Sequence, residues 1–277
     1  MTVLFLDYYH PFAGLCNQLY LITNNIYEAF LKKQKIYIHK INIDIFNKKR
    51  VLASEVLDFQ KTNENLKLAI LLFEKPNDDF TIPDLRVYPV SSVEVLSCLA
   101  FQQSILDKVP NEDCFTIHFR LDFDCIIHYL FEAEEYDMFM SCPTIEYTHK
   151  IMKMPEVNNY CNYLLDQYFH FINILGREKK YYICTSIGKN NKMHDCLLPY
   201  LQQLIDYIGR DFVLESKVYY EERELNALVE LLIMKKSSAV IGFEGSSFSE
   251  GYCYKVCPDK VYYFVNGIVQ KIKVSKD

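Results

Sequence analysis

The chain has 277 residues, 50% of them hydrophobic, and a net charge of −6. That is enough apolar material for two compact halves, and no segment has the composition of a disordered tail. Lys and Arg form no long basic stripe, which excludes duplex nucleic acid as a primary partner and leaves room only for a local phosphate site. Ten cysteines include no C-x-x-C pair; Cys253 and Cys257 are the closest, so buried reduced thiols are expected and zinc is not. No signal-like segment precedes Val3 and no apolar run reaches membrane-spanning length. A cytoplasmic location without a transmembrane segment is the expectation.

In chain order, Val3-Leu-Phe-Leu6 reads as a buried strand. A loop with Pro11 and Gly14 follows, and Leu15, Leu19, Ile22, Ile26 and Phe30 recur with a helical period. Gly14, Leu15, Cys16, Asn17 and Gln18 therefore lie where a strand-end loop becomes a helix N-terminus, a ligand-facing position in α/β sheets. A glycine turn with Asn17 and Gln18 capping the helix accounts for the loop equally well. Ile36–Ile41 predicts a strand, and residues 63–73 a helix. Ser91-Ser-Val-Glu94 is a capping-box pattern opening a helix carried by Val95, Leu99 and Leu106 toward Pro110.

Cys114–Asp124 predicts a strand with His118, Arg120, Asp122 and Asp124 on alternate positions, hence on one face. Four ionisable groups so placed are uncommon in a purely structural strand, although a salt-bridged edge would have them. Arg is planar, always charged and bidentate, which suits a diphosphate. Residues 126–156, rich in acidic and aromatic side chains, suggest a linker between halves. Val157–Ile172 is an amphipathic helix stopped near Gly176, and Tyr181–Thr185 a strand ending in Thr185-Ser186. A helix from Leu197 to Gly209, a short strand at 212–214 and a helix over 225–233 lead to Ala239-Val-Ile241. This last run reads as a strand opening into Gly242, Glu244, Gly245, Ser246, Ser247, Phe248 and Ser249. Glycines and hydroxyls at a strand end supply the small donors and backbone N–H groups that phosphates need. Val261–Val265 is a last strand. Alternation of strands and helices predicts parallel α/β sheets.

No Walker lysine pattern and no G-x-G-x-x-G is present, which disfavours kinases, NTPases and nicotinamide enzymes. The pattern Gly14-Leu-Cys-Asn-Gln18, His118-x-Arg120 with Asp124, and Ser246-Ser-Phe-Ser249, preceded by Glu224–Glu230, resembles the GDP-fucose-dependent fucosyltransferases. The likeness is to the protein O-fucosyltransferase branch and related bacterial and viral enzymes. Cys16 stands where that clan has a glycine, and the strand ending at Thr185 lacks its acidic residue.

The resemblance implies a GT-B-like architecture, two Rossmann-like domains divided as 1–125 (acceptor side) and 126–277 (nucleotide-sugar side), with the last residues free to return to the first. It implies inverting transfer of a sugar to a glycan or protein hydroxyl, no required metal or other cofactor, and GDP-fucose as donor. By resemblance Arg120 holds the β-phosphate, and Ser246, Ser247 and Ser249 bond phosphate oxygens. Gly14, Leu15, Cys16, Asn17, His118, Thr185, Glu244 and Phe248 complete the donor site. Asp122, Asp124 and Glu244 are the alternatives for the base that deprotonates the acceptor. Three other readings stand beside this one. Asp122-Phe-Asp124 is also a D-x-D pattern of metal-dependent transferases; a UDP-sugar such as UDP-xylose could be the donor; and a non-catalytic nucleotide- or sugar-binding module would keep the same cleft.

Overall fold

The computed structural model describes residues 3–6, 14–32, 34–44, 47–66, 92–132, 137, 139, 144–187, 192–214, 217–243 and 246–264. The chain divides into two units. The first comprises Met1–Glu112, Val218–Lys236 and Glu250–Asp259, and the second Asp113–Lys217, Ser237–Ser249 and Lys260–Asp277.

In the first unit, β1 (Val3–Leu6) pairs in parallel with β2 (Lys35–Ile38), and α1 (Leu15–Leu31) is the crossover between them. The apolar residues of α1 recur every three or four positions, and Leu19, Ile22, Ile26 and Ala29 are all buried. β3 (Lys40–Asp44) and β4 (Lys49–Leu52) form an antiparallel hairpin. Its turn is held by Asp44, whose carboxylate accepts from the Asn47 backbone (2.9 Å) and side chain (2.7 Å). Lys48 takes the positive φ of 54° that the turn needs. Helices α2 (Phe59–Leu66), α3 (Ser92–Cys98) and α4 (Gln103–Leu106) follow.

The second unit begins with β5 (Phe115–His118), α5 (Phe123–Leu130), α6 (Ile145–Met152) and α7 (Pro155–Leu175). Then come β6 (Tyr181–Cys184), α8 (Leu198–Ile208) and β7 (Val213–Leu214). Helix α9 (Arg223–Lys236) belongs to the first unit, and the chain returns to the second as β8 (Ala239–Phe243). A π-helical segment, Ser247–Tyr254, leads to β9 (Val261–Phe264).

These five strands form one parallel sheet in the order β7-β6-β5-β8-β9. Counted from the unit's own first strand the order is 3-2-1-4-5, that of a Rossmann-like, doubly wound α/β sheet. β6 and β8 are buried at every position, as strands covered on both faces are. Helix α7 opens on Pro155 and closes at Gly176, whose φ of 102° only glycine adopts without strain. It buries Val157, Tyr160, Cys161, Leu164, Leu165, Tyr168 and Ile172 in the core of the unit. Each such side chain stabilises by about 1.5–3 kcal/mol, so this stripe holds the helix despite its many Asn and Tyr residues.

Four expectations need correction. The strand expected to run to Asp124 ends at His118, because Asp122 caps α5 and turns the chain into a helix. The division expected at residue 125 falls at 112 instead, since Phe115–His118 pairs with β6 and β8 and carries His118, Arg120, Asp122 and Asp124 into the second unit. Residues 126–156 do not form a linker where they are described: Ile126, Ile127, Leu130, Phe131, Phe139 and Ile151 are part of the second unit's core. The helix expected from Ser91 to Leu106 breaks after Cys98. There Asp58 N–H bonds Ala100 C=O (3.0 Å) and Gln102 N–H bonds Val56 C=O (3.0 Å), a strand-like pairing that a helix could not make.

The first unit differs from the expected Rossmann-like domain as well. Among its described residues it has one βαβ unit and a hairpin rather than an extended parallel sheet. The helix expected over 63–73 is α2, placed four residues earlier, and residues 67–91 lie outside the described part. The described cysteines are thiols with no disulfide among them. No described helix is long and apolar enough to cross a membrane.

Candidate functional site

Strand order in the second sheet reverses between β5 and β8, where Phe115–Ile117 pair with Ala239–Ile241. Ligands of open α/β sheets bind outside the carboxyl ends of the strands at such a reversal. The residues beyond these two strand ends therefore form the candidate site.

After His118 the ladder continues for one more bond, Phe119 N–H to Cys184 C=O (2.9 Å). Phe119, Leu121 and Phe123 are buried, which leaves Arg120 and Asp122 between apolar anchors. Asp122 is the N-cap of α5, with Oδ1 accepting from Cys125 N–H (3.1 Å). Its Oδ2 takes one guanidinium N–H of Arg120 at 2.5 Å, and Asp124 Oδ2 takes another at 2.9 Å. Each Nη of Arg120 thus donates one N–H to a carboxylate, two of the five N–H donors that a guanidinium carries.

The Arg120 side chain is 28% exposed and that of Asp124 45%, whereas Asp122 is at 8%. Burial works against the Arg120 charge, but the Asp122 and Asp124 carboxylates outweigh it and keep the group firmly protonated. Burial pushes Asp122 above the usual carboxylate range, with Arg120 pulling it back and Asp124 adding to the rise.

At the other strand end, Ser249 is fully buried. Its Oγ accepts from Phe243 N–H (2.9 Å), donates to Phe243 C=O (3.2 Å) and lies 3.1 Å from His118 Nδ1. With the hydroxyl proton on Phe243, an Nδ1–H tautomer of His118 completes the set. Burial, helped by the Arg120 charge, lowers the His118 pKa to about 3, so the ring is neutral. Phe248 lies against it at 5.1 Å between ring centroids. Gly242 makes the approach of Ser249 possible, because a Cβ there would sit 3.0 Å from Ser249 Cβ and 3.3 Å from Val261 Cγ1. Ser246 turns the loop, donating its N–H to Phe243 C=O (3.2 Å) and accepting at Oγ from Phe248 N–H (3.2 Å). Glu244, Gly245 and the side chain of Ser247 lie outside the described part.

Beyond β6, Thr185 Oγ1 accepts from Ile187 N–H (3.2 Å), and Ser186 Oγ is 3.2 Å from Nδ1 of buried His194. The His194 ring lies 6.0 Å from Phe123, which brings this strand end beside the start of α5. Of the expected residues, the second unit so gathers His118, Arg120, Asp122, Asp124, Phe248 and Ser249 around one pair of strand ends. Gly14, Leu15, Cys16 and Asn17 belong to the first unit. There Leu15 and Cys16 are buried at the start of α1, and burial pushes the Cys16 thiol up. Gln18 pairs its amide with the Asn42 backbone in both directions, at 3.1 and 2.9 Å, while Asn17 is exposed.

Two residues of this region were not foreseen from sequence. Tyr168 donates to His118 C=O (2.7 Å) and accepts from Arg120 N–H (3.1 Å). In the sequence it is one more apolar member of a helical stripe, with nothing to mark its hydroxyl. His194 lies in a short 3-10 segment, Lys192–Leu197, with no periodicity to place it. The sequence matches no known protein-family model and none of the curated proteins.

Proposed function

We propose that the chain is an inverting glycosyltransferase acting from a nucleotide-sugar donor on a hydroxyl of a glycan or protein, with its two units in a GT-B-like arrangement. The observation that carries this is Arg120 at the strand-order reversal, gripped by Asp122 and Asp124 and still partly exposed. A preorganised guanidinium at that point suits the charge that develops on a diphosphate leaving group. The acceptor oxygen attacks the anomeric carbon, the bond to the β-phosphate oxygen breaks, and its electron pair leaves on the diphosphate beside Arg120.

The acceptor proton goes to a carboxylate. Asp122 has both oxygens engaged, one on Cys125 N–H and one on Arg120, and is buried. Asp124 is the more accessible of the two and is our choice for the base. When both carboxylates are ionised, the three groups carry one net negative charge, which opposes an anion. The raised affinity of Asp122 for a proton offsets this as the diphosphate arrives. With their oxygens on Arg120 and the α5 cap, Asp122 and Asp124 support an Arg-based rather than a metal-based site. Ser246 and Ser247 are proposed to line the phosphates; Ser249, expected to join them, is fully buried with its hydroxyl on Phe243 and His118 and holds the loop instead.

Resemblance points to GDP-fucose as donor. The strand end that would face the base favours a second possibility: Thr185 accepts from Ile187 N–H, Ser186 lies against His194, and the sequence from Thr185 to His194 holds no carboxylate to accept from guanine N1–H and the exocyclic amine. UDP-xylose is therefore the alternative donor. The test is release of the free nucleotide from each donor by purified protein, alone and with a glycan acceptor. Release from neither donor, with no nucleotide binding, would overturn the proposal.

A further inference from the structure

The backbone on either side of Arg120 is tied by a single side-chain oxygen from a distant helix. Tyr168, at 0% exposure in the middle of α7, sends its hydroxyl between His118 C=O (2.7 Å) and Arg120 N–H (3.1 Å), fifty and forty-eight residues away in sequence. β5 has ended at His118, and Phe119 N–H makes the last bond to β6. Past that point, among the described residues, no strand partners the His118 carbonyl or the Arg120 amide, and buried backbone groups need a partner. One hydroxyl serves both, donating to the first and accepting from the second. Burial pushes the Tyr168 hydroxyl up, so it remains a donor at any physiological pH. The ring is held in turn by Phe119, at 5.2 Å between centroids.

The other end of Arg120 is fixed by Asp122 and Asp124. Asp122 has its own place set by the α5 cap. Arg120 is thus held at both ends, its backbone by the Tyr168 hydroxyl and its guanidinium by two carboxylates. We propose that Tyr168 is the positioning residue of the site: its hydroxyl sets the backbone from His118 to Arg120 and thereby the aim of the guanidinium. Its consequence for turnover holds only if the nucleotide-sugar activity proposed above is present, whereas its consequence for Arg120 itself does not depend on that activity.

Three measurements test it. In the wild-type protein, hydrogen exchange should show the Arg120 amide as strongly protected as the sheet amide of Ile117; exchange at the rate of an exposed loop amide overturns the proposal. Tyr168→Phe keeps the ring and removes the hydroxyl. In ¹⁵N spectra of the arginine side chains, the Arg120 signals should shift and average relative to wild type. The matched control is Tyr181→Phe, which also removes a buried hydroxyl, one that donates to Gly176 C=O at 2.9 Å. Tyr181→Phe should lower the melting temperature without moving the Arg120 signals. Unmoved signals in Tyr168→Phe, or equal changes in both variants, overturn the proposal.

With turnover established in the wild type, Tyr168→Phe should lose about 10- to 100-fold, the scale of a misplaced catalytic group, in kcat with KM little changed. A loss confined to KM would contradict it. No turnover in the wild type would defeat the functional proposal alone, leaving the exchange and arginine spectra to decide on Tyr168.

Discussion

Each unit contains a strand-to-helix junction where the sequence pointed to ligand binding, and the two junctions are built differently. At the start of α1 the suggestive residues are absorbed by the fold. Leu15 and Cys16 are in the core, and Gln18 acts as a substitute backbone for β3, giving and receiving a hydrogen bond at Asn42. At the start of α5 His118 and Asp122 are likewise buried and engaged, but Arg120 and Asp124 keep part of their surface. Arg120 stays 28% exposed with two carboxylates on it, although the backbone that carries it is pinned by Tyr168 and by the ladder to β6. A loop motif of Gly, Asn and Gln can be satisfied by local structure alone. A half-buried Arg between two Asp residues at a strand-order reversal keeps part of its surface open, and the proposed function rests on that difference.

The contrast breaks first on activity. Arg120→Ala should lower nucleotide-sugar turnover about 10²–10³-fold, the scale for losing one preorganised charge stabiliser. Arg120→Lys should recover little of it, because a point charge lacks the planar fork. Asn17→Ala, at the other junction, should cost less than about tenfold, well below a catalytic electrostatic term. Comparable losses at both sites would erase the distinction between the junctions.

The next effect is on acid stability. His118 has a folded-state pKa of about 3 against an ordinary value of 6.5, so between those limits the unfolded chain binds the extra proton. Its contribution is fully present above pH 6.5 and is lost as the pH falls toward 3, at about 1.4 kcal/mol per pH unit. Between pH 6.5 and 4.5 the wild type should lose about 2–3 kcal/mol more than His118→Gln in denaturant titrations. Parallel losses in the two proteins would show that His118 is not held neutral.

Smaller again is the cost of breaking the α1 junction. Gln18→Met should destabilise by about 1–3 kcal/mol, because it leaves the buried Asn42 N–H and C=O without the amide. Nucleotide binding should survive in the folded variant, which calorimetry can check. The smallest expected effect is that of a chelator: with Arg120 in place of a metal, turnover should be unchanged by EDTA. Abolished turnover restored by a divalent ion would return Asp122 and Asp124 to metal ligands.

Much of the second unit was legible because its strands are continuous apolar runs between glycine-terminated helices. Ala239–Ile241, Tyr181–Cys184 and the stripe of α7 to Gly176 all appear where periodicity put them. The misreading at His118–Asp124 has a specific cause. A residue alternation of two continued past His118 by coincidence, while Asp122 was also a helix cap, and only the pairing with β6 decides between these. The unit boundary was illegible for a related reason, since β5 joins its sheet through partners 66 and 124 residues further on. Arg120 could be singled out from its chemistry. Tyr168 could not, because a hydroxyl in an apolar stripe has no signature until the strand it supports is in place.

The central claim is that Arg120, beyond the ends of β5 and β8, receives a nucleoside diphosphate. The most direct test is a melting experiment on the wild type and Arg120→Ala with GDP, UDP and their sugars at matched concentrations. A ligand at about 100 times its Kd stabilises the native state by about 2.7 kcal/mol, which a melting curve resolves. Stabilisation of the wild type by one nucleoside diphosphate, and its loss in a folded Arg120→Ala, is the expected result; GDP alone would favour fucose as the sugar and UDP alone would favour the xylose donor. Stabilisation by none of them, or equal stabilisation of both proteins, would contradict the claim.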